Sequence, residues 1–197
     1  MKGLYIALGV ILLLVLWGGC SYNGMNGASK DVDQKWADVQ SSYQRRSDLI
    51  PNLVSTVKAA ANFETKTLTD VIQARASATQ IKVDAKDLTP EKLQQFQQSQ
   101  GQLSQALGRL MMVSEQYPQL KATQNFTDLQ TQLEGTENRI KMSRDAFNAS
   151  VKDYNIKVSN FPNNILAGMF HFSEKPSFKA DAGADKAPQI GTGKFDN

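Results

Sequence analysis

The stretch that decides the fold is Trp36-Ala-Asp-Val-Gln-Ser-Ser-Tyr-Gln-Arg-Arg-Ser-Asp-Leu-Ile-Pro-Asn-Leu-Val54. Its large apolar residues, Trp36, Val39, Tyr43, Ile50 and Leu53, are separated by threes, fours or their sum. That spacing returns side chains to one face of an α-helix and leaves the other faces polar. The pattern continues through Val57, Ala61, Leu68, Val71 and Ala78. It predicts helix from about Val32 to Ile81, roughly 70 Å long at ~1.5 Å per residue. Pro51 lies inside this run and predicts either a kink or two abutting helices, because proline removes a backbone donor and crowds the preceding turn.

Two further helices follow from the same logic. Val83 to Leu88 is a polar connector, and Thr89-Pro90-Glu91 reads as a helix start with threonine as N-cap and proline at the first position. Leu93, Phe96, Leu103, Leu107, Leu110 and Met111 form the stripe of that second helix, which Pro118 should end soon after Tyr117. The third begins near Asn125 and carries Phe126, Leu129, Leu133, Ile140, Phe147, Val151, Tyr154, Val158 and Phe161. Phe161-Pro162-Asn163-Asn164 breaks it, and Ile165 to Phe172 reads as one short apolar helix. With no useful strand alternation, the expected fold is all-α: an elongated antiparallel helical bundle of three long helices plus a short C-terminal one.

Ahead of the bundle, Leu4 to Gly19 is apolar without interruption and Lys2 precedes it. A spanning helix needs about 17–25 apolar residues, so Cys20 and Tyr22 would complete this one at the interface, with Trp17 and Tyr22 as aromatic anchors. Three readings stand side by side: a retained membrane anchor, a cleaved secretory signal, and a lipoprotein signal with Cys20 as the lipidated residue. Gly18-Gly19-Cys20 supplies the small residues that a lipoprotein signal needs, whereas Trp17 stands where such signals usually carry leucine. Lys2 on one side and Lys30 and Lys35 on the other give no decisive bias in orientation. The expected organisation is an anchor or signal over 1–22, a flexible joint over 23–29, the bundle over 30–172 and an extended or disordered tail over 173–197.

Composition excludes several function classes. Over 197 residues, 22 Lys and Arg are interleaved with 19 Asp and Glu, and the net charge of +3 gives no basis for a nucleic-acid partner. Cys20 is the single cysteine, so no intrachain disulfide can form, and His171 is the single histidine. A di-iron bundle site needs Glu-x-x-His pairs on two helices. Here Gly168 stands three residues before His171, which reads instead as a packing or surface side chain. No catalytic residue, cofactor site or metal site is expected.

Several segments resemble a known family. Tyr43-Gln-Arg-Arg-Ser-Asp-Leu-Ile-Pro-Asn-Leu-Val-Ser-Thr-Val-Lys58 looks like the signature of the LemA family, and Gln132-Leu-Glu-Gly-Thr-Glu-Asn-Arg-Ile140 is similar to its second. Tyr154-Asn155 through Phe161-Pro162, with Ala167 and Met169-Phe-His-Phe172, resembles its closing motif. The resemblance covers about Tyr22 to Phe178. It implies an N-terminal membrane helix and a long antiparallel bundle in a bacterium, no established enzymatic activity, and a link to the envelope or to membrane-protein maintenance. Cys20 departs from the family pattern, in which the anchor commonly continues without cysteine.

The charged residues of the signature admit three readings. Arg45 and Asp48 lie at i, i+3 and would pair locally. Alternatively, Arg45 or Arg46 reaches Glu134 or Glu137 of the third helix in an interhelical polar network. Contact with lipid phosphate is the third reading, although Arg45 is some 25 residues past Cys20. The glutamine-rich face from Gln94 to Gln105 is read as solvated, with a protein-binding surface as its alternative. The expected function is a non-enzymatic, membrane-anchored scaffold or interaction protein. Its partners would be the bilayer and another envelope or membrane protein. An accessory regulator of a membrane protease or similar enzyme is the alternative.

Overall fold

The computed structural model describes residues 2–59 and 64–179. Every regular element among them is helical. α1 runs from Lys2 to Lys58, α2 from Thr65 to Gln80, α3 from Pro90 to Ser114, α4 from Pro118 to Lys121, α5 from Gln124 to Ser159 and α6 from Asn163 to Met169; a single 3-10 turn covers Ala85–Asp87. The expected all-α bundle is therefore the observed one.

α1 and α5 make the most extensive pairing and run antiparallel. Trp36 of α1 packs on Phe147 of α5 at 5.4 Å between ring centroids, while Arg46, ten residues on, meets Glu137, ten residues back. α2 and α3 form a second hairpin against this pair. At the start of α3 the Thr89 hydroxyl accepts from Lys92 N at 3.3 Å, the cap expected from the sequence, with Pro90 at the first helical position. The Glu91 carboxyl beside it lies below its ordinary range, because a backbone N–H and then the Thr89 hydroxyl favour its charged form.

The stripes read from sequence are the core. Trp36, Val39, Ile50, Leu53, Val57, Val71, Leu103, Leu110, Phe126 and Phe147 are all essentially inaccessible. Each such side chain contributes on the order of 1.5–3 kcal/mol by leaving water. The buried residues form two apolar clusters end to end. One surrounds Trp36, Phe96, Phe147 and Tyr154, and the other Ile50, Leu53, Leu103, Leu110 and Phe126.

Four details differ from the expectation. Residues 32–81 carry two helices, one of the two alternatives the sequence leaves open, but they do not divide at Pro51, since α1 continues past it to Lys58. The division falls between Lys58 and Thr65; Ala61 of the expected stripe lies outside the described residues. Residues 23–29, expected as a flexible joint, are helical and continuous with α1, because Met25 and Val32 are buried against the end of α5 and outweigh the turn-forming tendency of Asn-Gly pairs. Phe161, placed on the third stripe, lies beyond α5 and is 80% exposed. Finally, residues 173–179, the start of the segment expected as an extended or disordered tail, are docked, with Phe178 buried among Trp36 and Phe147; the remainder of that segment, 180–197, lies outside the described residues.

α1 also contains the apolar run. Its 18-residue apolar window has no residue buried within the structure, and the helix is long and apolar enough to cross a membrane.

Candidate functional site

Between the two apolar clusters lies a transverse polar layer, built from one turn of each of three helices. α1 contributes Arg46 and Ser47, α3 contributes Ser99 and Gln100, and α5 contributes Thr136, all buried. Arg46 occupies a stripe position, midway in the seven-residue interval from Tyr43 to Ile50. Only 1% of it is exposed. Its guanidinium donates from Nη1 to Ser104 Oγ at 2.7 Å and to Glu137 Oε1 at 2.8 Å. Nη2 donates to Gln100 Oε1 at 2.6 Å and to the Gln100 carbonyl at 3.3 Å. Its carbon Cζ sits 5.0 Å over the Tyr43 ring. The fork geometry of arginine suits such multiple acceptance, which a lysine could not reproduce. Nε is the buried side-chain atom left without a hydrogen-bond partner among the described residues. Gln100 passes the connection on, since its Nε2 donates to the Ala78 carbonyl at the end of α2 at 3.3 Å. Arg75 of α2 donates to the Ser47 carbonyl at 2.8 Å, so all four long helices join this layer.

Of the charged residues singled out in the sequence, the structure thus brings Arg46 and Glu137 together and separates the others. Among the described residues no ion pair joins Arg45 to Asp48. The Asp48 carboxylate accepts from Gln44 Nε2 at 2.7 Å, and Glu134 accepts from Gln130 at 3.1 Å. Gln100 lies within the glutamine run expected to be solvated but turns inward, because the Nη2 of the buried guanidinium needs an acceptor there. The gap in the α1 stripe was the available signal for a buried polar partner.

A second polar device holds the segment after α6. Asn155 Nδ2 donates to the Lys175 carbonyl and Asn155 Oδ1 accepts from Lys175 N, both at 2.9 Å. Seven residues earlier, about two turns, Asn148 grips Phe178 in the same two-pronged manner, at 3.2 and 2.9 Å. The Tyr154 hydroxyl donates to the Ser173 carbonyl at 3.0 Å. Burial, and next the nearby Asp33 carboxylate, raise the Tyr154 phenol above its ordinary value. Lys175 Nζ reaches Asp33 Oδ1 at 2.7 Å and the Ser29 carbonyl at 3.3 Å, tying the strap to α1. Beside the strap, Gln97 donates to the Lys179 carbonyl at 3.3 Å. A surface cleft of about 950 Å³ opens here between the strap and the glutamine face of α3, lined by Gln94, Gln98, Gly101 and Gln105.

Among the described residues there is no group of three metal-binding side chains. His171 is exposed with φ of 58°, in the left-handed region, and the Phe172 N–H bonds the Ala167 carbonyl at 2.9 Å. It thus ends α6 at a position glycine usually fills. Cys20 is a free, exposed cysteine within α1.

The fold and its polar layer define a class: a helical bundle whose first helix extends into an apolar segment of membrane-spanning length. The model of the LemA family matches residues 35–191, and the chain belongs to that family. Magnetosome protein MamQ 2 of Paramagnetospirillum magneticum is 28% identical over 183 residues, covering 79% of this chain and 66% of that one. Magnetosome protein MamQ of Magnetospirillum gryphiswaldense is 36% identical over 83 residues, 39% of this chain and 30% of its own. Protein LemA of Metamycoplasma hominis is 26% identical over 129 residues, or 66% and 55%. The chain spans about two thirds of the length of the first of these relatives.

Proposed function

We propose that this protein is a non-enzymatic, single-pass membrane-anchored scaffold of the bacterial envelope, which presents its helical faces to another membrane or envelope protein. The observation that supports this reading is the continuity of α1. One helix of 57 residues carries the apolar segment and the bundle's first core stripe without a break. At ~1.5 Å per residue it is roughly 85 Å long. A rigid connection of this kind fixes the bundle's direction relative to the membrane, which suits a protein that positions something. A mobile tether would suit a protein that searches. The similarity to magnetosome proteins and to Protein LemA supports a membrane-associated helical protein.

The test is photocrosslinking in native membranes from positions on the exposed faces of α3 and α5, followed by mass spectrometry. The scaffold reading expects several partners or self-association. One abundant enzyme partner would replace it with an accessory regulator of that enzyme. Hydrolytic or transferase turnover by the purified chain would overturn both. Protease accessibility in intact cells fixes the side on which the bundle stands.

A further inference from the structure

We infer that α6 and the turn before it form a second membrane contact, lying on the lipid surface from which α1 emerges. The inference rests on the reading of residues 4–19 as a span. That run is 16 residues, or roughly 24 Å of helix, several ångströms short of a typical hydrocarbon core of about 30 Å. A short span draws its flanking residues into the interface. The flank here is Cys20 to Tyr22, and the turn that ends α6 packs against it. The Tyr22 ring lies 5.0 Å from Phe170 and 5.6 Å from Phe172. Whatever depth Tyr22 takes, this end of the bundle takes as well.

The surface presented there is apolar. Phe161 is 80% exposed, Ile165 56%, Met169 66% and Phe170 50%. Ile165 and Met169 are four apart and share one face of α6, while Ala167 faces the bundle. From Val158 to Phe170 the chain carries no charged residue. Exposed apolar side chains of this size, adjacent to one another, normally mark an interaction surface. Their occupant follows from continuity, because the patch adjoins the exposed apolar surface of α1 through Tyr22, whose ring meets Phe170. A short apolar helix with aromatic flanks at headgroup depth is the expected chemistry of an interfacial element. Two contacts at one level would stop the bundle from tilting about its single span.

The experiment uses the full chain in a Cys20→Ser background, reconstituted into vesicles of phosphatidylethanolamine and phosphatidylglycerol. Single cysteines at Ile165→Cys, Met169→Cys, Leu12→Cys and Met142→Cys each carry an environment-sensitive fluorophore. At Ile165 and Met169 the emission shifts to the blue and is quenched by lipids brominated on their acyl chains. At Met142, exposed midway along the bundle, it stays water-like. Quenching at Leu12 with water-like emission at both Ile165 and Met169 overturns the inference and leaves the span intact. Water-like emission at Leu12 overturns the span reading itself.

Discussion

Arg46 is the residue on which the bundle's interior depends most. A buried guanidinium whose acceptors are removed costs about 3–5 kcal/mol. Arg46→Ala removes the guanidinium itself, so its cost is the cavity left and the unpaired Gln100 rather than a stranded charge, about 2–4 kcal/mol in chemical denaturation. Glu137→Ala should cost less, about 1–2 kcal/mol, because its carboxylate is half exposed and water weakens the pair. The double variant should lose less than the sum of the two by about 1 kcal/mol or more; strictly additive losses would show that the contact carries no energy. Arg46→Lys should behave nearly as badly as the alanine, since one ammonium cannot span Ser104, Glu137 and Gln100. Tyr154 gives a separate handle through pH. Its phenol is raised in the folded state by burial and then by Asp33, so folding favours the neutral form. The associated stability is complete below the unfolded tyrosine pKa of about 10 and disappears as pH rises through the higher folded value. Tyr154→Phe should flatten that alkaline loss, as read from unfolding midpoints on either side of pH 10.

Individual elements show how far the sequence could be read. The stripes of α1, α3 and α5 were legible because burial in a bundle repeats every three or four residues, and nearly every side chain so assigned is in the core. Residues 23–29 misled because Asn, Gly and Ser favour turns locally, while the forces that make them helical come from α5 and from Met25 and Val32. A Cβ built on Gly24 or Gly27 meets no atom within 4 Å. Gly24→Ala and Gly27→Ala should therefore each stabilise α1 by about 0.5–1 kcal/mol, through helix propensity alone. A flexible joint there would leave the unfolding midpoint unmoved. The strap was illegible for a different reason. Its docking uses Asn148 and Asn155, which carry no periodic signal, and only Phe178 is apolar enough to reach the core. Asn148→Ala with Asn155→Ala removes four hydrogen bonds, each contributing about 0.5–1.5 kcal/mol. Amide exchange at 174–179 should accelerate strongly while exchange in α1 and α5 changes little; unchanged protection would mean that Phe178 alone holds the strap. His171 hid the end of α6 similarly, since a glycine there would have announced it.

For the molecule as a whole, the two apolar clusters are not separate folding units. α1, α3 and α5 each run through both, and the Arg46 layer is bonded to all four long helices. Opening one cluster would strand the guanidinium, so denaturation should be a single transition monitored equally at Trp36 and by circular dichroism. The span stands outside this cooperativity, because none of its 18-residue apolar window is buried against the bundle. Deleting residues 1–21 keeps Tyr22 and its contacts with Phe170 and Phe172. The shortened chain should fold with a Tm within a few degrees of the full chain, given that a shift of 2–4 °C corresponds to about 1 kcal/mol at this size. It should also leave the membrane pellet, since the remaining apolar patch on α6 is far smaller than a span. These two readouts separate the roles of α1. A large fall in Tm would mean that the first twenty residues support the core, contrary to their exposure. Continued sedimentation with membranes would mean that α6, or a bound partner, suffices to hold the bundle there, and replacing Ile165 and Met169 with serine in the shortened chain would distinguish lipid from protein as the holder.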